Sequence, residues 1–588
     1  MKAASRWALA MLFPVLRAVA AGAGADEPIV MPPFLVEEQK GDGIEWIYGS
    51  ESDIRVLSGC ATAQTASFLR QLDEQRKELR NFIPDEFLLH ESLPLTLIIF
   101  PKSREQAIDQ VLEMELRHGP ASASRKFSPM NDLRISDPDS SYIFIVYDDN
   151  LATPDVWVRG GGQVSSGNFS VPVWSPSYVR FLLQARSPAL PDWYVYGCAE
   201  LYETMNFNGA YDSIEHPFEP VSATIDGIHF EPDPSMSEAD ASALSRHSDG
   251  PRPLIPMGEL FEARYPSFKS DEYRRVWRAQ AELFIRWALS GRVEGERARL
   301  RRFVEAATTQ RTTEEFFYAC FGLDYADALD ALSDFLPHAV KWPLFVPSEQ
   351  PPRTPQINLR TATAEEVRRV RSEWSRRVLA AIKTDDPDAF PLFAAKVKDS
   401  FEGAYSKGER DPDFLASLAL FRIQYAGAND GLRLLEQYPS AVASRPVARL
   451  VLAQQRLLEA LARPAEANGA LSGEQASQIM GEIIQALRAG PIESAYKLSA
   501  KVCEHLGRDP MPSERKILLD GARQFPRNSE LVVQAVSWEL RAGEVNDAAN
   551  LIELGLWESA DPVSRRNLVI LDNLARQALT GAHQQGRN

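Results

Sequence analysis

SYVRFLLQARSPALPDWYVYGCAELYETM, residues 177–205, decides how this chain is read. An amphipathic helix comes first, then a turn built around Pro188 and Pro191, then a second helix ending in Gly-Cys-Ala-Glu-Leu-Tyr. Proline fixes its own backbone and restricts the residue before it, so this pair of prolines forces a break between the helices. The stretch contains no histidine.

On its N-terminal side, IEWIY (44–48) and DIRVLS (53–58) read as short strands. LPLTLIIF (93–100) and SYIFIVY (141–147) are apolar runs of strand length, the second rich in β-branched and aromatic residues. Between them TAQTASFLRQLDEQRKELRNFI sets Phe68, Leu69, Leu72 and Leu79 on one helical face, and Pro84 closes the helix. On the other side, residues 206–253 are dense in Gly, Pro, Ser and Asp, which predicts a long loop over a cleft with one hairpin. From Met257 the periodicity is helical. DEYRRVWRAQAELFIRWALS brings Val276, Trp277, Gln280, Phe284 and Trp287 into register. TTEEFFYACFGLDYADALDALSDFL has Thr312 or Thr313 as a cap and Gly322 as a stop.

KWPLFVPSEQPPRTP (341–355) contains five prolines and reads as a semi-rigid linker. Thr363 and Glu366 then have capping-box spacing, and Val367, Val370, Trp374 and Val378 form a stripe to be buried. Beyond it, helices alternate with short Gly, Pro or Asp breaks. LRAGPIESAYKLSAKV (487–502) and LRAGEVNDAANLIELGL (540–556) are alike: each has a glycine between helices (Gly490, Gly543) and an alanine five residues on (Ala495, Ala548). YAGANDGLRLLEQYP (425–439) is a fainter copy, and FPRN (525–528) reads as an inter-repeat turn. Across about 410–560 this resembles tetratricopeptide repeats.

A length of 588 residues exceeds one compact core. The formal charge of −17 argues against nucleic acid and anionic lipid as partners, because both demand a positive surface. The Arg-rich run GRVEGERARLRRFVE (291–305) is the local exception, but Leu300, Phe303, Val304 and Ala307 have helical spacing and make it a solvated helix face. Cys60, Cys198, Cys320 and Cys503 are scattered without C-x-x-C spacing, the pattern of buried thiols rather than of a zinc knuckle. MKAASR, the apolar WALAMLFPVL (7–16) and Ala23-Gly24-Ala25 have the layout of a cleavable signal peptide, with cleavage after Ala25. The expectation is an exported protein, periplasmic or secreted, with no integral membrane segment in the mature chain.

LPDWYVYGCAELYE (190–203) carries a family likeness. In bacterial peptidase MA-like proteins, which are gluzincin-type metallopeptidases, the helix after the active-site helix typically reads P-x-W-x-x-E-G-x-A-E-[YL]. This chain is similar at Pro191, Trp193, Gly197, Ala199, Glu200 and Leu201. The order of strands, helix pair and helical tail over roughly 40–340 resembles the family too. The resemblance implies an α+β fold: a gluzincin-like domain with a small N-terminal sheet and a helical tail, followed by an all-α tetratricopeptide-like repeat domain. The corresponding boundaries are signal peptide 1–25, peptidase-like domain 26–340, linker 341–360 and repeats 361–588.

The family's zinc hangs on two histidines of HExxH and a glutamate on the next helix, with the first glutamate as general base. Carried over, the first histidine falls on Pro176, the base on Ser177, the second histidine on Arg180 and the third ligand on Tyr196. None is a ligand or base, and a fixed cation at Arg180 would repel Zn²⁺. Glu200 and Glu203 share a helix face, and the plainer reading pairs Glu200 with Arg180 across the helices. Trp193, Glu200, Glu203 and His216 are the cleft candidates, with Trp193 expected in the core and Tyr196 on the cleft wall. No cofactor is expected, zinc included. The function expected is a non-catalytic pseudo-metallopeptidase that binds protein or peptide through the cleft, the repeats or both. The rivals are an active zinc peptidase with substitute ligands, drawing on His216 or Glu200, and a structural envelope scaffold.

Overall fold

The computed structural model describes residues 44–51, 54–84, 87, 95–101, 131–137, 140–147, 176–184, 186–203, 206–207, 212–214, 254–263, 270–290, 295–342, 344–345, 357–385, 387–462, 470–558 and 561–585. The predicted signal segment, His216, most of the 206–253 loop and all five linker prolines lie outside them. Glu45–Asn588 cluster as one compact unit. Helices dominate and a small sheet occupies the N-terminal part, an α+β arrangement. Among the described residues no helix is long and apolar enough to cross a membrane.

The main sheet has six strands: β1 (Ile47–Glu51), β2 (Ile54–Ser58), β3 (Leu95–Pro101), β4 (Asn131–Asp137), β5 (Ser140–Tyr147) and β9 (Arg360–Thr361). Their order is β4-β5-β3-β2-β1-β9, with β2, β3 and β5 parallel and the outer pairings antiparallel. β4 was not expected, since NDLRISD has too few apolar residues to read as a strand; it forms by pairing along the whole of β5. β6 (Asn206–Phe207) and β7 (Asp212–Ile214) make the predicted hairpin, and β8 (Leu344–Phe345) joins it from the linker.

β3 is buried along its whole length, which explains why its sequence is apolar at every second residue and in between. Leu95, Leu97 and Ile99 face the core made with α1 (Thr62–Phe82), where Phe68, Leu69, Leu72 and Leu79 lie as the periodicity requires. The opposite face carries Phe100 and Phe144. Its cover comes from α9 (Ala364–Asp385), whose Trp374 stacks on Phe144 with ring centroids 5.5 Å apart. Val370 and Val378 of the predicted stripe are buried with it, and Val367 is half-buried. The linker thus returns the chain to the sheet, adding β9 at its edge and α9 on its face.

Polar groups fix this joint. Glu373 on α9 is 1% exposed. It accepts from Arg376 at 2.9 Å, Arg377 at 2.8 Å and Arg445 at 2.6 Å. Arg377 also donates to the carbonyl and hydroxyl of Ser140 on β5, at 3.0 and 2.7 Å, and lies over the Tyr142 ring. Burial alone would raise the Glu373 carboxyl, yet Arg376, Arg445 and Arg377 together hold it well below the usual carboxylate range.

Local chemistry sets the helix ends. Thr313 caps α7 (Glu314–Phe321) by accepting from the Phe316 amide, and Gly322 stops it at φ 74°. Thr363 and Glu366 form the reciprocal capping box at the start of α9. Between α11 (Pro412–Phe421) and α12 (Ala428–Gln437) the chain widens into one π-turn, Arg422–Ala426. Gly431 allows this, because a Cβ there would sit 2.5 Å from the Ala419 carbonyl oxygen. The two similar segments keep glycine at φ 146° (Gly490) and φ 83° (Gly543), and Ala495 and Ala548 are fully buried. All four cysteines are buried and unbridged.

Candidate functional site

The helices of the opening stretch are α2 (Pro176–Gln184) and α3 (Asp192–Glu203). Each presents Val179, Leu182 and Leu183, or Trp193, Val195 and Ala199, to one continuous core. α3 packs along α5 (Asp271–Leu289), and Gly197 lets the two approach. A Cβ on Gly197 would stand 2.8 Å from the Ala281 carbonyl carbon and 2.9 Å from its oxygen. Because the obstacle is backbone, a methyl there forces the helices apart. Gly197→Ala is expected to cost about 1–3 kcal/mol in a urea titration; a loss under about 0.5 kcal/mol would show that the helices do not meet this closely.

Of the four positions that the family pattern assigns to zinc and base, two are in contact. The Arg180 guanidinium lies over the Tyr196 ring, 5.4 Å from its centroid. Tyr196 is 7% exposed and meets Trp277 edge-on at 6.0 Å. Pro176 and Ser177 begin α2, but their side chains lie outside the described residues. The predicted Glu200–Arg180 pair is replaced by another: Arg278 of α5 reaches Glu200 at 3.0 Å. Arg278 lies outside the buried register of Val276, Trp277, Gln280, Phe284 and Trp287, so helical periodicity does not single it out. Its one sequence signal is a cation next to that buried ring.

Trp193 is 0% exposed, so it belongs to the core and not to the surface of a cleft. Its ring packs against Phe261, Phe284 and Phe303 at centroid distances of 5.2, 5.5 and 5.8 Å. Cys198 is 4% exposed, and burial pushes its thiol up to about 12, which removes the thiolate a nucleophile needs. The Glu203 side chain and all of His216 lie outside the described residues.

A cavity of about 250 Å³ remains beside α3, lined by Gln184, Leu190, Asp192, Val195, Tyr196 and Arg527. Tyr196 is therefore both core and cavity wall. Arg527 comes from the FPRN turn (525–528) in the C-terminal half and donates to Asp192 at 3.1 Å. Next to it the Ser187 hydroxyl donates to the Gln524 carbonyl at 2.7 Å. The C-terminal helices thus touch the helix pair as well as the sheet.

Of the positions that the family pattern would assign to zinc, one carries the Arg180 guanidinium and another the Tyr196 phenol beneath it, and Glu200 pairs with Arg278; a guanidinium is no ligand for the metal. Among the described residues no group of three or more His, Cys, Asp or Glu converges as a metal would require. No family model matches the chain, and no curated protein or solved structure matches it either.

Proposed function

We propose that this chain is an exported, non-catalytic protein with a peptidase MA-like frame, which binds protein or peptide partners through its tetratricopeptide-like repeats and the cavity beside α3. The observation that carries the reading is the contact of Arg180 with Tyr196. Two positions that would hold metal in an active relative instead pack on each other, and Glu200 is drawn into an ion pair with α5. Such contacts preserve the crossing of the helices while removing the reason for it. Helical repeats supply extended surfaces, and binding is what such surfaces do most readily.

Metal content and proteolysis test the proposal together. Purified full-length protein is expected to hold far less than one zinc per chain and to leave unfolded casein intact. Stoichiometric zinc, with cleavage that disappears in Glu200→Gln or His216→Ala, would overturn it. Truncation before the repeats is a poor test, because it would uncover Phe144 and the face of the sheet that Trp374 covers.

A further inference from the structure

An open groove lies apart from both the cavity beside α3 and the sheet. It measures about 680 Å³ and lies where the loop after α16 (Glu493–Glu504) meets the C-terminal half of α18 (Ser529–Ala542). Glu504, Arg508, Asp509, Gln534, Trp538 and Arg541 line it. A volume of this order suits a ligand of a few residues.

Its charges divide into committed and available groups. Arg508 is held bidentately by Glu514, with both contacts at 2.8 Å, and Gln534 donates to Glu504. Arg541 lies over the Trp538 ring at 4.7 Å and is paired with no carboxylate among the described residues. Nor does any described side chain or amide pair with the Asp509 carboxylate. Among the described residues the groove therefore offers a guanidinium and a carboxylate that lack ionic partners, beside a half-buried indole. Stacking on the indole holds the guanidinium plane in place, so less freedom is lost when it takes a carboxylate. A purely acidic ligand would meet Asp509 and Glu504, and a purely basic one would meet Arg541.

We infer that this groove binds a short extended peptide segment carrying one carboxylate and one ammonium, the carboxylate on Arg541, the ammonium on Asp509 and an apolar side chain between them against Trp538. This rests on the reading of the repeats as a binding module and names the class of segment they take.

Three capped tripeptides test it by saturation-transfer NMR on the full chain: acetyl-Glu-Leu-Lys-amide and its analogues with Gln for Glu or Gln for Lys. The zwitterionic probe is expected to bind saturably, and each analogue roughly tenfold more weakly, as loss of a charge-assisted contact implies. Arg541→Gln is expected to erase the distinction between Glu and Gln and keep that between Lys and Gln. Asp509→Asn should do the reverse. Both positions lie at the surface, so unchanged thermal unfolding of the variants serves as the folding control. Absence of binding to the wild type, or full discrimination in both variants, overturns the assignment. Its failure is separable from that of the broader reading: cross-linking of the Arg541→Gln, Asp509→Asn double variant to a cellular partner at wild-type yield would refute this groove and leave partner binding standing.

Discussion

Replacing Glu373 with alanine is expected to remove about 3–5 kcal/mol of stability, the range for breaking a buried ion pair from one side. The carboxylate is shared by Arg376, Arg377 and Arg445, so its loss leaves three closely placed guanidiniums repelling one another in a dry joint. The damage should be seen first where Arg377 holds Ser140, at the start of β5. A urea titration followed by hydrogen exchange of β5 would measure it; unchanged exchange there would show that the cluster does not couple α9 to the sheet. The sign of the pH dependence follows from the depressed carboxyl. A folded-state value below the unfolded one gives stability that is fully present above the unfolded value and is lost as pH falls from there through the folded one. The loss therefore begins as pH falls into the usual glutamate range and runs on to well below it, and Glu373→Ala should be about as costly at pH 5 as at pH 7.

Trp193→Ala should cost a comparable amount, about 3–5 kcal/mol, because it empties the centre of an aromatic cluster. The ring touches Tyr194, Phe261, Phe284 and Phe303, which come from three helices besides its own neighbour. Among the described residues its indole N–H has no hydrogen-bond partner, so Trp193→Phe sacrifices volume and no bond. That substitution should cost clearly less than the alanine one. Equal losses for the two variants would mean that the indole N–H is satisfied after all. Neither substitution touches the groove at Trp538, so the surviving folded fraction should keep its ligand preferences.

Much of the local architecture was readable because local signals have local causes. Thr313, Gly322 and the Thr363–Glu366 box set helix ends through backbone bonds within four residues. The apolar stripes of α1, α5 and α9 went to the core, since periodicity reports which residues are buried. It does not report what buries them. Trp374 was foreseen as buried, but its partner Phe144 lies in a strand on the far side of the linker. LTLIIF had the apolar continuity of a strand covered on both faces, yet nothing in it says that the second cover arrives from the C-terminal half. β4 escaped because its pairing with β5 outweighs its own polar composition. At the candidate site Pro176, Ser177, Arg180 and Tyr196 were visible as letters. Their new contacts were not: Arg180 over Tyr196 and Arg278 on Glu200 depend on how three helices cross.

The route by which the sheet is completed has a consequence for synthesis. β5 is tied to Arg377 across 237 residues of sequence, and α3 to Arg527 across 335. A chain that leaves the ribosome N-terminus first must therefore wait with the Phe100 and Phe144 face of its sheet bare and the outer edge of β1 unmatched. Nascent surfaces of this kind are sticky, and contacts of such long range form late. Slowing translation across the Pro-rich bridge should then raise the aggregated fraction, and a holdase acting on the emerging N-terminal half should lower it.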